Sequence, residues 1–221
     1  MKTIQLNKKH LFGFFALLLF LPALAQKRIT EGTIYYDIVI NTGSEKVKNA
    51  EFFDGATSVV YIKGQRTRTE MVSALGTQST IIDAGKSATI LKEYGDQKYM
   101  INLTPAEWQD ANKRNNGIRF SFDNSETKSI LGYTCKKAVG QYPDGTTFTA
   151  WYTTDLLPEN QEFDPITKTL PGLAMEYETS MGDLKVKYTV SRISLAPVPA
   201  SKFDLPKSGY RLLSYQESKG M

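Results

Sequence analysis

Two shortages exclude more chemistry than any motif in this sequence supplies: 221 residues contain one cysteine and one histidine. Cys135, being alone, cannot close an intramolecular disulfide. His10 lies in an opening segment that reads as a removable leader, so the mature chain is expected to carry no imidazole. Zinc sites of the cysteine–histidine kind and nucleophiles activated by histidine are thereby excluded. A calcium loop needs acids on alternate positions. Asp144 beside Gly145 and Asp164 beside Glu162 are too sparse for one and read as turn acids. Also missing is a glycine-rich phosphate loop opening a helix. We therefore expect no catalytic residue, no metal and no cofactor.

Long apolar runs are equally scarce. The one present, Leu11 to Leu21, follows a stretch carrying Lys2, Lys8 and Lys9 and precedes Pro22 and Ala23-Leu24-Ala25. That order of charge, apolar core and small residues is a secretory signal, with cleavage expected between Ala25 and Gln26. The run is too short for the ~20 apolar residues that span a bilayer. Residues 1–25 are thus the expected signal peptide and 26–221 a single domain, periplasmic or secreted, without a transmembrane segment. Losing three lysines lowers the net charge from +4 to +1. A near-neutral chain gives no electrostatic case for nucleic acid.

What the sequence does contain is period-two alternation. Ile34, Tyr36, Ile38 and Ile40 share one side of a stretch whose other side carries Glu31, Thr33, Tyr35 and Asp37. Leu184, Val186, Tyr188 and Val190 alternate with Lys185, Lys187, Thr189 and Ser191. Leu173, Met175 and Tyr177 alternate with Ala174, Glu176 and Glu178. Such patterning in Ile, Val, Thr and Tyr marks strands with one apolar face. Gly64, Gly85, Gly95, Gly145 and Gly182 punctuate these strands at hairpin spacing. The reading is mainly β with a minor helical share: about ten antiparallel strands in a sandwich or a barrel.

One helix interrupts the strands. Thr104-Pro105-Ala106-Glu107 places threonine at the N-cap, proline at the first helical position and glutamate at the third. Its expected end is Gly117, with Trp108 and Ala111 on one face. A second, weaker helix is expected over 45–53.

Several residues invite a chemical reading beside a plainer one. Cys135 is flanked by Lys136 and Lys137, which would activate a thiol only if they faced it; a small buried strand residue is the plainer reading. Trp151 suits either sugar stacking or cross-strand packing. Arg66, Arg68 and Glu70 share a strand face, either a solvated edge with weak ion pairs or a contact for an anionic headgroup. Carboxylates are plentiful, but none stands in a recognisable acid–base motif. A binding protein is expected rather than an enzyme.

The apolar strand faces must be covered. A sandwich would cover them with a second sheet. A curved, incompletely closed sheet would cover them with one or two helices and leave a cavity for an apolar ligand. The mid-chain helix suits the second arrangement. Its expected lining is Ile34, Tyr36, Ile38, Trp108, Met175, Tyr177, Val186 and Tyr188.

The order Ile130-Leu131-Gly132-Tyr133-Thr134-Cys135-Lys136-Lys137-Ala138, then Phe148 to Thr153, then Leu170-Pro171-Gly172-Leu173 resembles the GLPGLI family and related exported domains of the Bacteroidota envelope. Val60 to Gly64, Arg68 to Met71 and Phe203-Asp204-Leu205-Pro206 are similar too. Thr169 stands where that family has its first glycine. The resemblance implies a LolA-like fold, an antiparallel half-barrel whose apolar hollow is partly closed by helices. It implies a non-catalytic carrier or sensor of lipid or acyl chains, with an envelope protein as a further partner. The alternative is a structural or protein-interaction module without a small-molecule ligand. No site residues carry over from the family. Pro171 and Gly172 are expected simply to open the strand that follows, glycine by admitting unusual backbone angles.

Overall fold

A computed structural model gives the fold over residues 26–41, 55–83, 87–181 and 184–220. The expected signal peptide over 1–25, the weaker helix expected over 45–53 and the turn residues 84–86 and 182–183 lie outside the described residues. No described helix is long and apolar enough to cross a membrane.

The alternating stretches form strands. In chain order these are β1 (Lys27–Ile29), β2 (Glu31–Asn41), β3 (Thr57–Lys63), β4 (Arg66–Ser73), β5 (Gly76–Asp83), β6 (Ser87–Tyr94) and β7 (Gln97–Leu103). Helix α1 (Pro105–Ala111) follows, then β8 (Arg119–Ile130), β9 (Tyr133–Gln141), β10 (Thr147–Thr153), β11 (Leu156–Pro158), β12 (Leu173–Met181), β13 (Leu184–Ser194), β14 (Arg211–Leu213) and α2 (Tyr215–Ser218).

Twelve strands make one sheet in the order β14-β7-β6-β5-β4-β3-β2-β13-β12-β10-β9-β8. Every pairing is antiparallel except β14 on β7. Strand β13 returns beside β2 over nine residue pairs and so joins two meanders into one surface. Edges β14 and β8 do not pair with each other, so the sheet stays open. The separate pair β1–β11 is parallel. The expected architecture, a mainly β, antiparallel, incompletely closed sheet with helices on it, is the observed one. The strand count exceeds about ten because β1, β11 and β14 are three residues each, too short to show a period. Strand β8 is polar, and its register on β9 slips between Asp123 and Thr127, which hides its alternation.

Alternation gives the sheet an inner and an outer face. Val60 of β3 pairs with Thr69 of β4, and Thr69 with Thr80 of β5, so Ser58, Val60, Ile62, Thr67, Thr69, Met71, Gln78, Thr80 and Ile82 point inward. Two different covers lie over that inner face. On β5–β7, Ile82, Ala88, Ile101 and Leu103 pack against Trp108 of α1 and Tyr215 of α2. Elsewhere the cover is the segment 159–172, whose Leu170 is buried and whose Phe163 and Ile166 pack on the main cluster around Ile34, Tyr36, Leu173 and Met175. Full burial of such side chains contributes about 1.5–3 kcal/mol each.

Helix α1 begins as its sequence requires. The Thr104 hydroxyl accepts from the Glu107 N–H, and the Glu107 carboxylate accepts from the Thr104 N–H at 2.9 Å. It ends at Ala111 rather than continuing to Gly117, and a series of turns fills the interval.

Residues 196–210 run over the outer face of the first meander. Arg66 donates to the Phe203 carbonyl at 2.9 Å, Arg68 to the Lys202 carbonyl at 3.0 Å, and Tyr210 to the Glu93 carboxylate. Phe203 is buried beneath the Arg66 guanidinium, 5.0 Å from the ring centre. The solvated-edge reading of the arginines therefore does not hold, although its ion pair is present. They are not a solvated edge, because their donors fasten a strap of main chain. Arg68 also pairs with Glu70 at 2.7 Å.

Gly172 owes its place to closeness rather than to unusual backbone angles. A Cβ there would stand 1.9 Å from the Thr153 carbonyl oxygen, where β12 opens against the end of β10.

Candidate functional site

Between the inner face and the segment 159–172 lies a cavity of about 220 Å³. One wall is aromatic. Tyr177 and Tyr188, from neighbouring strands, stack with ring centres 4.9 Å apart and planes 3° from parallel. Tyr36 meets both edge-on, at 6.3 and 6.4 Å. The Tyr36 hydroxyl donates to the Ala174 carbonyl at 3.1 Å. The adjoining wall, which begins at Ser58 paired across from Tyr36, is mixed: Ser58, Thr69, Gln78 and Thr80 alternate with Val60 and Met71. Phe163, Asp164 and Ile166 close it from the covering segment.

Asp164 sets the electrostatics. It is 8% exposed and has no cationic partner among the described residues. Its carboxylate accepts from the Thr167 hydroxyl at 2.8 Å and the Ile166 N–H at 3.0 Å, which fixes the turn that starts at this residue. The Tyr177 hydroxyl lies close by and also favours the charged carboxylate. Burial raises the Asp164 pKa, opposed by the hydrogen bonds from Thr167 and Ile166 and by the nearby Tyr177 hydroxyl. Burial first, then the neighbouring Asp164 charge, pushes the phenols of Tyr36 and Tyr177 well up and that of Tyr188 up to about 12. All three rings are neutral phenols at any physiological pH. Asp164 is a turn acid, as its sequence setting suggests, and the turn it begins is folded into the hollow of the sheet.

The eight residues expected to line a cavity separate into groups. Tyr36, Tyr177 and Tyr188 line it together. Ile38 and Val186 form an adjoining cluster with Ala56 that packs on Tyr188 and Met71. Ile34 and Met175 are enclosed in the main cluster away from the opening. Trp108 lines a different recess, of about 290 Å³, between α1 and the Glu162–Lys168 ion pair. The covering segment and the polar wall were missed. The polar wall left a signal: the inward positions of β4 and β5, Thr67, Thr69, Gln78 and Thr80, are mostly polar, broken only by Met71 and Ile82.

The other candidates take their plainer roles. Cys135 is fully buried, its thiol pushed up to about 11 by that burial, so it is a poor nucleophile. Trp151 is half-buried with the Lys128 ammonium 4.5 Å from its ring centre. Among the described residues, no group of three or more His, Cys, Asp or Glu side chains converges as a metal site.

No family model matches the chain, so the resemblance to the GLPGLI family rests on the motifs alone. No curated protein matches either. Solved structures do. The crystal structure of an uncharacterized conserved protein from Thermus thermophilus superposes with a TM-score of 0.51, at 9% identity, over 84% of this chain and 91% of that one. LprF from Mycobacterium bovis matches with a TM-score of 0.35, at 13% identity, over 76% and 88%. A β-barrel-like protein of the domain of unknown function DUF1849 from Brucella abortus matches with a TM-score of 0.35, at 9% identity, over 76% and 98%. At such identity, the first of these likenesses is one of fold.

Proposed function

We propose that the chain is an exported, non-catalytic binding protein that takes an apolar or amphiphilic small molecule, such as the end of an acyl chain, on the inner face of its open sheet. The supporting observation is the cavity of about 220 Å³ walled by three stacked and edge-on tyrosines. It is smaller than the roughly 300–1,000 Å³ of pockets for drug-sized ligands. A whole acyl chain would therefore need the segment 159–172 to withdraw. Affinity would come from covering aliphatic surface, at about 0.8 kcal/mol per methylene. Asp164 is the one carboxylate among the described residues that line the cavity, and hydrolysis by paired carboxylates needs a second.

Native mass spectrometry of gently purified protein should show a co-purified lipid. A delipidated sample should bind a fluorescent fatty acid at micromolar concentration, and absence of both would end this reading.

The second reading is an envelope module that binds another protein. The observation in its favour is edge strand β8, where Phe122 is 46% exposed beside Phe120 and Tyr152. An unpaired edge with an aromatic side chain can accept a partner strand. Crosslinking in cells through position 122 would capture that partner, while a carrier would yield none.

A further inference from the structure

The inner cavity holds two features that an acyl chain alone does not use. The first is Asp164, a carboxylate enclosed with hydrogen bonds but no cation among the described residues. The second is the set of rings around it, Tyr36, Tyr177, Tyr188 and Phe163. An enclosed carboxylate without a counter-ion is costly, and burial of this kind opposes its ionisation. Aromatic faces attract cations through their quadrupole, and the attraction grows when water is excluded. A positive group in this cavity would give the carboxylate its missing partner and meet the rings at once.

We infer that the cavity recognises an organic ammonium group, held by the tyrosine rings and neutralised by Asp164. The inference rests on the binding reading above and names the polar end of the ligand. Size agrees. At about 30 Å³ for each water in the liquid, 220 Å³ corresponds to roughly seven water-sized groups. A trimethylammonium head on a two-carbon alcohol is of that order. Ser58, Thr69 and Thr80 on the adjoining wall offer hydroxyls to such an alcohol or ester. Neither Lys nor Arg appears among the described lining residues to compete for the carboxylate.

The test compares choline with its uncharged carbon isostere, the alcohol in which a quaternary carbon replaces the nitrogen. Shape is matched, so calorimetry on the wild-type chain reads the charge alone. Choline should bind roughly tenfold more tightly. In Asp164→Asn, which can still accept a hydrogen bond to hold the turn, choline should lose most of its advantage over the isostere, the remainder being what the rings contribute. Equal affinity for the two in the wild type overturns the inference and leaves the binding reading standing. If neither binds and the fluorescent fatty acid fails as well, both fall. The wild-type comparison needs no variant to fold. A lysophosphocholine above its uncharged analogue identifies the same recognition in a lipid headgroup, whereas preference for free choline assigns it to a small amine.

Discussion

Asp164 and Glu176 differ in the company they keep. Glu176 on β12 projects from the outer face, where Lys128 at 2.7 Å and Lys187 at 3.1 Å share its carboxylate. One residue along, Tyr177 projects inward toward Asp164, which has rings and hydroxyls around it and no described cation. Burial acts on both carboxyls, but on the outer face the two lysines outweigh it and Glu176 ends below its ordinary value. On the inner face burial wins and Asp164 ends above. A single strand thus separates a face that satisfies its charges from a face that keeps one waiting. That is the contrast expected of a surface on one side and a receptive hollow on the other.

The contrast can be broken most forcefully at the cover. Leu170→Ala empties the anchor of the segment 159–172 and should cost about 2–5 kcal/mol, read from urea unfolding. A smaller loss would mean that the segment is loosely held.

The pH dependence of stability tests the carboxyls themselves. The folded chain holds the Asp164 proton more tightly than the unfolded chain does. Its contribution is therefore full below the ordinary aspartate value and declines as pH rises from there through the raised one. For Glu176 the sign is opposite. Its contribution is present above the ordinary glutamate value and is lost as pH falls through the lowered one. Asp164→Asn should accordingly gain on the wild type as pH rises from about 4 to about 8, and a difference that shrinks would refute the assignment. Glu176→Gln should lose about 1 kcal/mol at neutral pH, because hydrogen bonds between charged groups are weakened by the half-exposed lysines. That deficit should fade in acid.

The smallest effect is expected at the other cover. Thr104→Ala removes the cap of α1, a short helix with no buried residue, and should cost about 0.5–1 kcal/mol by the same denaturation.

The two covers also explain what could be read in advance. Helix α1 announces itself because Thr104, Pro105 and Glu107 specify its start through contacts within four residues. The segment 159–172 has no period, and its meaning lies in partners far along the chain. Asn160 donates to the Gln65 carbonyl across 95 residues, and Phe163 and Asp164 meet Tyr36, Tyr177 and Tyr188 only once the sheet has formed. Alternation made Tyr36, Tyr177 and Tyr188 visible as one side of their strands. It does not tell a lined hollow from a filled core, so Ile34 and Met175 looked the same as the tyrosines. Arg66 and Arg68 looked solvated because their acceptors, the carbonyls of Phe203 and Lys202, are more than 130 residues away.

The segment after the strap, 211–218, has a consequence for how the chain assembles. Strand β7 gains its parallel neighbour β14, and α1 its companion α2, from residues about 110 positions later in the sequence. Until those residues arrive, one rim of the sheet presents unmatched peptide groups to any passing chain, a template for mispairing. Closure across such separations is slow. Docking of 211–218 therefore shields the β7 rim of the sheet and leaves β8 as its long open one.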